Sequence, residues 1–444
     1  MNTPICDFVR SYAESDSLRL HMPGHKGVNR LGCEAYDITE IVGADSLYEA
    51  NGIIKESEYN AGQLFGANTF YSAEGSSLSI KAMMYLACLC AESRGERRLV
   101  LAGRNAHKAF INSAALLDFD VEWLYPIEGD AYLSCNITAE MLDERLNGMT
   151  CKPIAVYLTT PDYLGNVLDL SEISAICKRH NVMLLVDNAH GAYLKFLPES
   201  KHPIDLGADM CCDSAHKTLP VLTGGAYLHL SKNMPDFILD KVKGAMSLFG
   251  STSPSYLILL SLDSANEYLD TSFSRELSDC TEKISELKNS LIDFGYSLIG
   301  NEPLKITVRT KLYGYYGYEF ADILFKKGIV CEYSDPDFVV LMLTPQLSEK
   351  LDDIETVLKS IERKELISSV PPELGKPIKK VDIRTACMSR CETVSVDVAL
   401  NRIQATAAVS CPPAVPIVVS GEQIVETAIN AFKYYGINEC VVIK

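Results

Sequence analysis

The stretch CDSAHKTLPVLTGGAYLHL, residues 212–230, decides the fold. It joins two apolar segments of strand type through a turn, and it places His216 and Lys217 directly after the first of them. Burying a lysine is costly because its charge must be neutralised or paired. Lys217 therefore either passes the protein surface or supplies an amine for chemistry, and the surrounding sequence has to decide between the two.

Short apolar segments alternate with helical patterns before this stretch. Apolar runs of about four to eight residues bounded by polar turns are typical of buried strands, and the longer segments carry apolar residues at helical spacing. Strands that alternate with helices indicate an α/β fold, in which helices cover both faces of a mostly parallel sheet. The predicted strands are 97–103, 121–125, 153–160, 182–187, 209–215 and 224–230, and the predicted helices are 76–93, 107–118 and 170–180.

The later part of the chain has patterns of its own. Residues 255–294 predict long helices, and residues 303–363 predict a compact α+β arrangement. A chain of 444 residues exceeds one simple core, and the Pro-rich segment 368–377 is typical of a domain boundary. We expect an N-terminal segment at 1–60, a large domain at 61–265, a small α+β domain at 266–367 and a C-terminal domain at 378–444.

The composition argues against several classes of function. The formal net charge is −17, which disfavours nucleic acid or an anionic membrane as the main partner. The 15 cysteines follow neither a disulfide framework nor a zinc spacing, which fits a reducing compartment. The N-terminus lacks a signal-peptide pattern, and no apolar run approaches the ~20 residues that span a bilayer. We therefore expect a cytoplasmic protein without a metal site.

Four polar clusters fall at the ends of predicted strands or at the start of a helix. Asp187, Lys217 and His107 each follow a strand, and the segment EGSS (74–77) opens the helix at 76–93. In open parallel α/β sheets, ligands bind at the carboxyl ends of the strands. We therefore expect the four clusters to lie at one edge of the sheet, although each taken alone also fits an ordinary loop.

The clusters together suit one cofactor. Gly75, Ser76 and Ser77 put backbone N–H groups and hydroxyls at a helix start, which attracts a phosphate, although a plain serine cap fits equally. Asp187 has no adjacent carboxylate, so we expect its side chain either to bind a cationic N–H group or to cap a turn. Pyridoxal 5′-phosphate (PLP) needs a phosphate site, a carboxylate for its pyridine nitrogen and a lysine for a Schiff base, which Lys217 would supply.

These motifs resemble the Orn/Lys/Arg decarboxylases, PLP-dependent enzymes with the aspartate-aminotransferase (type I) fold. The resemblance covers nearly the whole chain, and HMPGHKG together with SAHKTLP is specific. It implies a large domain with a mostly parallel sheet, smaller α+β domains towards the C-terminus, and the branch of the family without an N-terminal wing domain. The motifs are LRLHMPGHKG (18–27), DITEIVGADSLYEANGIIKESE (37–58), AEGSS (73–77), RNAHK (104–108), VDNAHGA (186–192), SAHKTLP (214–220), STSPSYLILLSLD (251–263) and CPPAVPIVVSGE (411–422).

The resemblance assigns roles position by position. Lys217 would hold the cofactor, Asp187 would pair with its pyridine nitrogen and His107 would stack on its ring. His216 would lie on the phosphate or substrate side and His190 close to the ring, so that both join Lys217 and Asp187 as catalytic candidates. The phosphate and its surroundings would be bound by Gly75, Ser76, Ser77, Ser214 and His216.

Three positions depart from the family pattern. Glu74 stands where the family has asparagine before the glycine of the phosphate loop, and Cys411 and Ala414 replace a tyrosine and a glycine of the C-terminal motif. The segment 1–60 would form part of the active-site wall through HMPGHKG. No roles follow for the polar residues of that motif, which are His21, His25 and Lys26.

The implied reaction is decarboxylation of arginine, lysine or ornithine to the amine and CO2, as in polyamine metabolism, by a homodimer with a shared active site. The partner copy would contribute residues 251–256. Glu332 is a candidate for the cationic end of the substrate, although an exposed charge fits as well. Two alternatives stay open: another type I enzyme, such as an aminotransferase or a lyase, which would use a late arginine (Arg384 or Arg402), and a paralog without catalysis.

Overall fold

The computed structural model describes residues 1–127, 129, 131–406 and 413–444. The helices are α1 (Pro4–Ala13), α2 (Ile53–Phe65), α3 (Gly75–Arg94), α4 (Lys108–Leu117), α5 (Ala139–Asn147), α6 (Leu170–Arg179), α7 (Ala215–Thr218), α8 (Asp236–Leu239), α9 (Val242–Ser247), α10 (Tyr256–Thr271), α11 (Phe273–Phe294), α12 (Gly317–Lys326), α13 (Leu351–Lys359), α14 (Ile383–Met388) and α15 (Glu426–Tyr434). The strands are β1 (Asn68–Ser72), β2 (Leu99–Gly103), β3 (Asp120–Leu124), β4 (Ala155–Thr159), β5 (Met183–Asp187), β6 (Met210–Asp213), β7 (Ala226–Leu230), β8 (Leu298–Ile299), β9 (Lys305–Arg309), β10 (Tyr333–Ser334), β11 (Phe338–Met342), β12 (Ile378–Lys379), β13 (Cys391–Ser395), β14 (Gln404–Thr406), β15 (Glu422–Gln423) and β16 (Glu439–Ile443).

The chain divides into two compact units, each built from several segments. The first unit consists of 1–98, 145–160 and 170–275, and the second consists of 99–144, 161–169 and 276–444. The four consecutive domains expected from the sequence stay a prediction. Among the helices of the described residues, none has the length and apolar character needed to cross a membrane.

The large sheet has seven strands, five of which belong to the first unit in the order β1-β7-β6-β5-β4. Strands β4, β5 and β6 pair in parallel, whereas β7 is antiparallel to both β6 and β1. Because β7 reverses direction between β6 and β1, strand β1 runs the same way as β6. The carboxyl ends of β1, β4, β5 and β6 therefore meet at one edge of the sheet.

Burial on both faces explains the apolar sequence of these strands. Strand β7 is buried at all five positions, and helix α3 packs against β1, β6 and β7. Burying a side chain of the size of leucine contributes about 1.5–3 kcal/mol, so each uninterrupted apolar run is stabilised when helices cover both faces. The α/β fold and the strands and helices predicted before residue 231 are confirmed. Lys217, however, lies on the short helix α7 and not at the end of a strand.

The second unit contains β2 and β3, which pair in parallel, and three smaller antiparallel sheets. The order of the largest of these is β10-β11-β9-β8, and α12 and α13 accompany it, which confirms the α+β arrangement predicted over 303–363. Strands β13, β16 and β14 form a sheet near the C-terminus. A core of apolar side chains that includes Ile424, Phe432 and Val442 holds this region together.

Candidate active site

One edge of the large sheet collects most of the predicted site residues. Asp187 ends β5, Ser214 follows β6, and helix α7 then carries His216 and Lys217. Helix α3 begins at Gly75 shortly after β1. Since β1, β5 and β6 run in the same direction, the prediction that these three clusters share an edge is confirmed.

Asp187 is a buried carboxylate with neutral hydrogen-bond donors. Its side chain accepts hydrogen bonds from the hydroxyl of Tyr157 at 3.2 Å and from the backbone N–H of Ala189 at 3.2 Å, and the thiol of Cys212 lies at 3.7 Å. Burial raises the pKa of Asp187, although the nearby charge of Lys217 works in the opposite direction. A cationic N–H group bound here would stabilise the carboxylate.

The amine of Lys217 lies 3.0 Å from Nε2 of His190. His190 is buried, and it belongs to the turn after β5, in which the N–H of Gly191 donates to the carbonyl of Asn188 at 2.7 Å. An ammonium group can only donate, so a charged Lys217 requires Nε2 of His190 to accept and the imidazole proton to sit on Nδ1. The turn therefore orients the amine that the sequence predicts to be reactive.

The start of α3 has the features of an anion site. Gly75 has φ +69°, a conformation that favours glycine, and a Cβ added there would meet no atom within 4 Å. Ser76 and Ser77 lie in the first turn of this 20-residue helix, and the side chain of Glu74 does not cap it. The hydroxyl of Ser214 donates to that of Ser76 at 2.8 Å, so two of the predicted phosphate-binding hydroxyls are adjacent.

Glu74, the residue that departs from the family pattern, is engaged with a neighbouring loop. Its carboxylate accepts a hydrogen bond from the backbone N–H of Ser251. Burial raises the pKa of Tyr48 to about 12, and the charge of Glu74 adds to the shift. The hydroxyl of Tyr48 would lie 1.9 Å from a Cβ at Gly250, so this part of the chain is closely packed. Glu74 therefore fixes the start of the segment 251–256, whose predicted contribution to a partner copy stays a prediction.

His216 and His107 have defined orientations. Nδ1 of His216 donates to the carbonyl of Gly225 at 3.0 Å, which fixes the orientation of its ring. His107 belongs to the second unit and caps α4, since its Nδ1 accepts from the N–H of Ala109 at 3.1 Å. The predicted stacking of His107 on the cofactor ring stays a prediction.

The C-terminal motif is described only in part. Cys411 lies outside the described residues. Ala414 has φ +57°, a conformation that favours glycine, which is consistent with the glycine that the family carries at this position. Its carbonyl accepts a hydrogen bond from the N–H of Lys108 at 2.9 Å.

The polar residues of HMPGHKG are held by local hydrogen bonds. Nε2 of His21 lies 2.5 Å from the hydroxyl of Tyr12, and Nε2 of His25 lies 3.1 Å from a carboxylate oxygen of Asp37. The amine of Lys26 donates to the backbone carbonyl of His21. These contacts account for the order of the segment and assign no role in catalysis.

Sequence reasoning missed the residues that support the site. Tyr157 and Cys212 both contact Asp187, and the side chain of Asn188 donates to Asp213 at 2.7 Å. Tyr157 and Cys212 lie within apolar runs that have the composition of ordinary core strands. Asp213 is the last residue of a strand, as Asp187 is, and this position was the one feature of the sequence that could have indicated a role at the site.

The residues of this edge fit PLP. Asp187 is a buried carboxylate with neutral donors, Lys217 supplies the amine, and the first turn of α3, which the side chain of Glu74 does not cap, supplies backbone N–H groups beside the hydroxyls of Ser76 and Ser214. The space in front of Gly75 admits an anion without a steric conflict at that position. This set of donors matches the aldehyde, the pyridine nitrogen and the phosphate of the cofactor.

Comparisons with known proteins match nearly the whole chain. Residues 3–297 match the family model described as Orn/Lys/Arg decarboxylase, major domain, and residues 376–441 match its C-terminal domain. An uncharacterized protein of Bacillus subtilis, YaaO, is 29% identical over 97% of this chain and 93% of its own length, and the arginine decarboxylase of Bacillus subtilis is 27% identical over 96% and 92%. The crystal structure of the lysine decarboxylase LdcF from Francisella novicida has a TM-score of 0.78 at 16% identity and covers 100% of this chain and 81% of that one.

The family model spans well over half of the chain, and the structural likeness confirms the expected fold over its full length. Asp187, Lys217 and the start of α3, which are the residues predicted to bind the cofactor, lie on one edge of the sheet. The chain belongs to the Orn/Lys/Arg decarboxylases and is a PLP-dependent carboxy-lyase of the type I fold.

Proposed function

We propose that the protein decarboxylates a basic amino acid, with arginine as the first substrate to test, and that Lys217 and Asp187 carry the reaction. The observation that carries the proposal is the placement of the Lys217 amine 3.0 Å from His190 on the edge where Asp187 is buried. Arginine is chosen because several relatives that match over more than nine-tenths of this chain are named arginine decarboxylases. The product would be an amine of the polyamine type.

Each residue of the edge has a distinct task in this proposal. When bound, PLP supplies an aldehyde for Lys217 and a ring that accepts electrons. Asp187 holds a proton on the pyridine nitrogen, because a buried carboxylate with neutral donors is stabilised by a cationic N–H group. Lys217 or His216 returns a proton to the substrate carbon after CO2 leaves, and His190 orients the amine of Lys217. The first turn of α3 binds the phosphate.

The residues expected for the rival aminotransferase have other partners. Arg384 donates to the backbone carbonyls of Ala115 and Leu116, each at 3.1 Å, and Arg402 pairs with Glu392 at 2.7 Å. Both arginines therefore have local roles in the second unit, which supports decarboxylation over transamination.

Glu332 keeps the candidate role in binding the cationic end of the substrate. Its carboxylate is exposed and accepts a hydrogen bond from the hydroxyl of Tyr163 at 2.7 Å. It lines a cavity of about 480 Å³ in the second unit, together with Tyr132, Tyr318 and Asp335. Carboxylates and aromatic faces both attract cations, which supports the candidate.

We also propose a cytoplasmic homodimer. The N-terminal segment exposes large apolar side chains, and contiguous exposed apolar surface is typical of an interface. The cysteines of the described residues are free thiols, which fits a reducing compartment. The exposed apolar residues of the segment are Leu18, Leu20, Met22, Val28, Leu31 and Val42.

The test is an amine-product screen with the full-length protein and added PLP. Arginine, lysine and ornithine are supplied separately, the amines are identified by mass spectrometry, and released CO2 is measured against keto acid. Lys217→Ala is expected to abolish both turnover and the borohydride-stable attachment of the cofactor. Lys232→Ala, which removes an exposed lysine of the same unit, serves as the matched control and should retain both.

Turnover by Lys217→Ala, or reductive labelling at a lysine other than Lys217, would refute the catalytic assignment. Keto acid in place of CO2 would refute decarboxylation. An amine formed from lysine or ornithine but not from arginine would refute the choice of substrate and leave the assignment of Lys217 intact.

A further inference from the structure

A second buried carboxylate lies beside the catalytic edge. Asp213 ends β6, and one of its oxygens accepts hydrogen bonds from Nε2 of His202 at 3.1 Å and from Nε2 of His229 at 3.2 Å. Its other oxygen accepts from the side-chain amide of Asn188 at 2.7 Å. All four side chains are fully buried. The proposed reaction uses none of them, so their concentration at this point requires another explanation.

Asn188 joins this cluster to the turn that carries His190. It follows Asp187 directly, and its backbone N–H donates to the carbonyl of Cys212 at 3.0 Å. Its own carbonyl accepts from the N–H of Gly191 at 2.7 Å, which closes the turn. His190 lies within this turn, and its Nε2 is the atom 3.0 Å from the amine of Lys217. The orientation of Asn188 and the position of His190 are therefore linked through a few covalent bonds.

Close packing leaves the side chain of Asn188 little freedom. A Cβ built at Gly191 would lie 2.0 Å from Oδ1 of Asn188 and 2.8 Å from a methyl group of Leu194. The amide group of Asn188 thus fills the space that any larger residue at 191 would need. With Oδ1 against Gly191, the nitrogen of the amide points to Asp213, and the two contacts fix a single orientation.

A metal ion is a less suitable explanation of the cluster. Donor atoms of His202, Cys211 and Asp213 lie within 4.8 Å of one another, which is close enough for a metal site. A metal on Nε2 of His202 would move the proton to Nδ1, which is buried and has no hydrogen-bond partner in the described structure. Metal-binding histidines almost always donate that second N–H. The proton therefore belongs on Nε2, where it bonds to Asp213.

We infer that Asp213 is a positioning residue, which acts through Asn188 on the turn that holds His190 against Lys217. The histidines on its other side keep the carboxylate ionised and fixed in place, so it can serve as a rigid anchor for the amide. This inference rests on the proposed roles of Lys217 and His190. The anchor is built from β6 and β7 and from His202, all of which are distant in sequence from the turn that they orient.

The experiment compares Asp213→Asn and Asn188→Ala in the full-length protein, with and without PLP. The position of His190 is followed through the ¹⁵N resonances of its ring in histidine-labelled protein, which His190→Gln assigns among the eight histidines of the chain. Both variants should shift these resonances and lower kcat by up to about a hundredfold, as expected for a small misplacement of a catalytic group, with KM nearly unchanged. The double variant should be no worse than the poorer single variant, because both substitutions break one link.

Thr69→Val is the matched control, because it removes the hydrogen bond of 2.9 Å to Nδ1 of His229 on the side of the cluster away from Asn188. It should lower the melting temperature without shifting the His190 resonances. Asn188→Ala with unchanged His190 resonances would overturn the inference, even if Asp213→Asn fails to fold. The resonances report on the turn whether or not the enzyme is active, so failure of this inference is distinguishable from failure of the assignment of Lys217.

Discussion

Asp187→Asn separates charge from shape at the centre of the proposed site. The substitution keeps the size of the side chain and an oxygen that can accept from the N–H of Ala189, but it replaces the oxygen that accepts from Tyr157 by an amide nitrogen and removes the negative charge. Asp187 is only 2% exposed, so water does not screen the lost charge. Removing one member of a buried ion pair costs about 3–5 kcal/mol, and 1.36 kcal/mol is a factor of ten in rate. If Asp187 pairs with the protonated cofactor, kcat should fall by about 10²- to 10⁴-fold.

The same substitution should stabilise the protein without its cofactor. Burial raises the pKa of Asp187 in the folded state, so folding disfavours the ionised carboxylate. The unfolded group ionises near its ordinary pKa of about 3.9, and the wild-type protein therefore loses stability as the pH rises from about 4 through the raised folded-state pKa. Asparagine does not titrate. The melting temperature of the cofactor-free variant should exceed that of the wild-type protein at pH 7, and the difference should disappear below about pH 4.

The assay combines CO2 release at saturating substrate with thermal melts of the cofactor-free protein between pH 4 and 8. Asp209→Asn is the matched control, since burial also raises the pKa of Asp209 and its carboxylate accepts from the N–H of Leu184 at 2.8 Å. This control should reproduce the gain in stability and retain kcat. A cofactor-loaded Asp187→Asn enzyme with kcat within tenfold of wild type would refute the pairing of Asp187 with the pyridine nitrogen.

Two further substitutions test the second unit and the phosphate site. The carboxylate of Glu422 lies 3.0 Å from the buried guanidinium of Arg104. Glu422→Ala leaves this guanidinium without a carboxylate partner and should lower the free energy of unfolding by about 3–5 kcal/mol in urea denaturation. The matched change at the more exposed Glu392 should have a much smaller effect, because water screens an exposed ion pair, and equal losses would contradict the argument. Glu74→Asn removes a carboxylate and adds a helix cap at the start of α3, so inorganic phosphate should bind by about 0.3–1 kcal/mol more tightly in a titration of the cofactor-free protein. Weaker binding would show that the contact of Glu74 with its neighbouring loop matters more than its charge.

The sequence predicted the large sheet best where strands are buried on both faces. Strand β5 is apolar up to Asp187 and β7 is apolar apart from His229, and helices pack against both strands. Strand β1 was missed. Its sequence, NTFYS, contains three polar side chains, and two of them have partners distant in the chain: Asn68 donates to the carbonyl of Ser231, and Thr69 bonds to His229. A short stretch of sequence does not show which distant residues will form hydrogen bonds with these polar side chains.

The same distinction separates the predicted from the missed parts of the site. Asp187 ends β5, and Lys217 lies in the short helix that follows β6, so the direction of the chain places both at the carboxyl edge. Their supports come from elsewhere: Tyr157 lies 30 positions before Asp187, and Asp213 lies 25 positions after Asn188. Both supports depend on which strands become neighbours and in which register, and this is determined by packing of the whole sheet. The sequence predicts the groups proposed to react, whereas the structure is needed to show what holds them.

The two buried carboxylates of this edge, Asp187 and Asp213, are suited to different roles, one in binding a ligand and the other in supporting the fold. Burial raises the pKa of Asp187, whose hydrogen bonds come from a phenol, a thiol and a backbone N–H. Burial also acts to raise the pKa of Asp213, but His202 and His229 outweigh it through charge and hydrogen bonds and hold that pKa below its ordinary value. A carboxylate whose pKa its surroundings have already lowered gains less from a bound cation than one whose pKa burial has raised. Environments that push two carboxyl pKa values apart suit the two groups to different roles, and here they support the proposed pairing of Asp187 with the cofactor and the inferred support of the turn by Asp213.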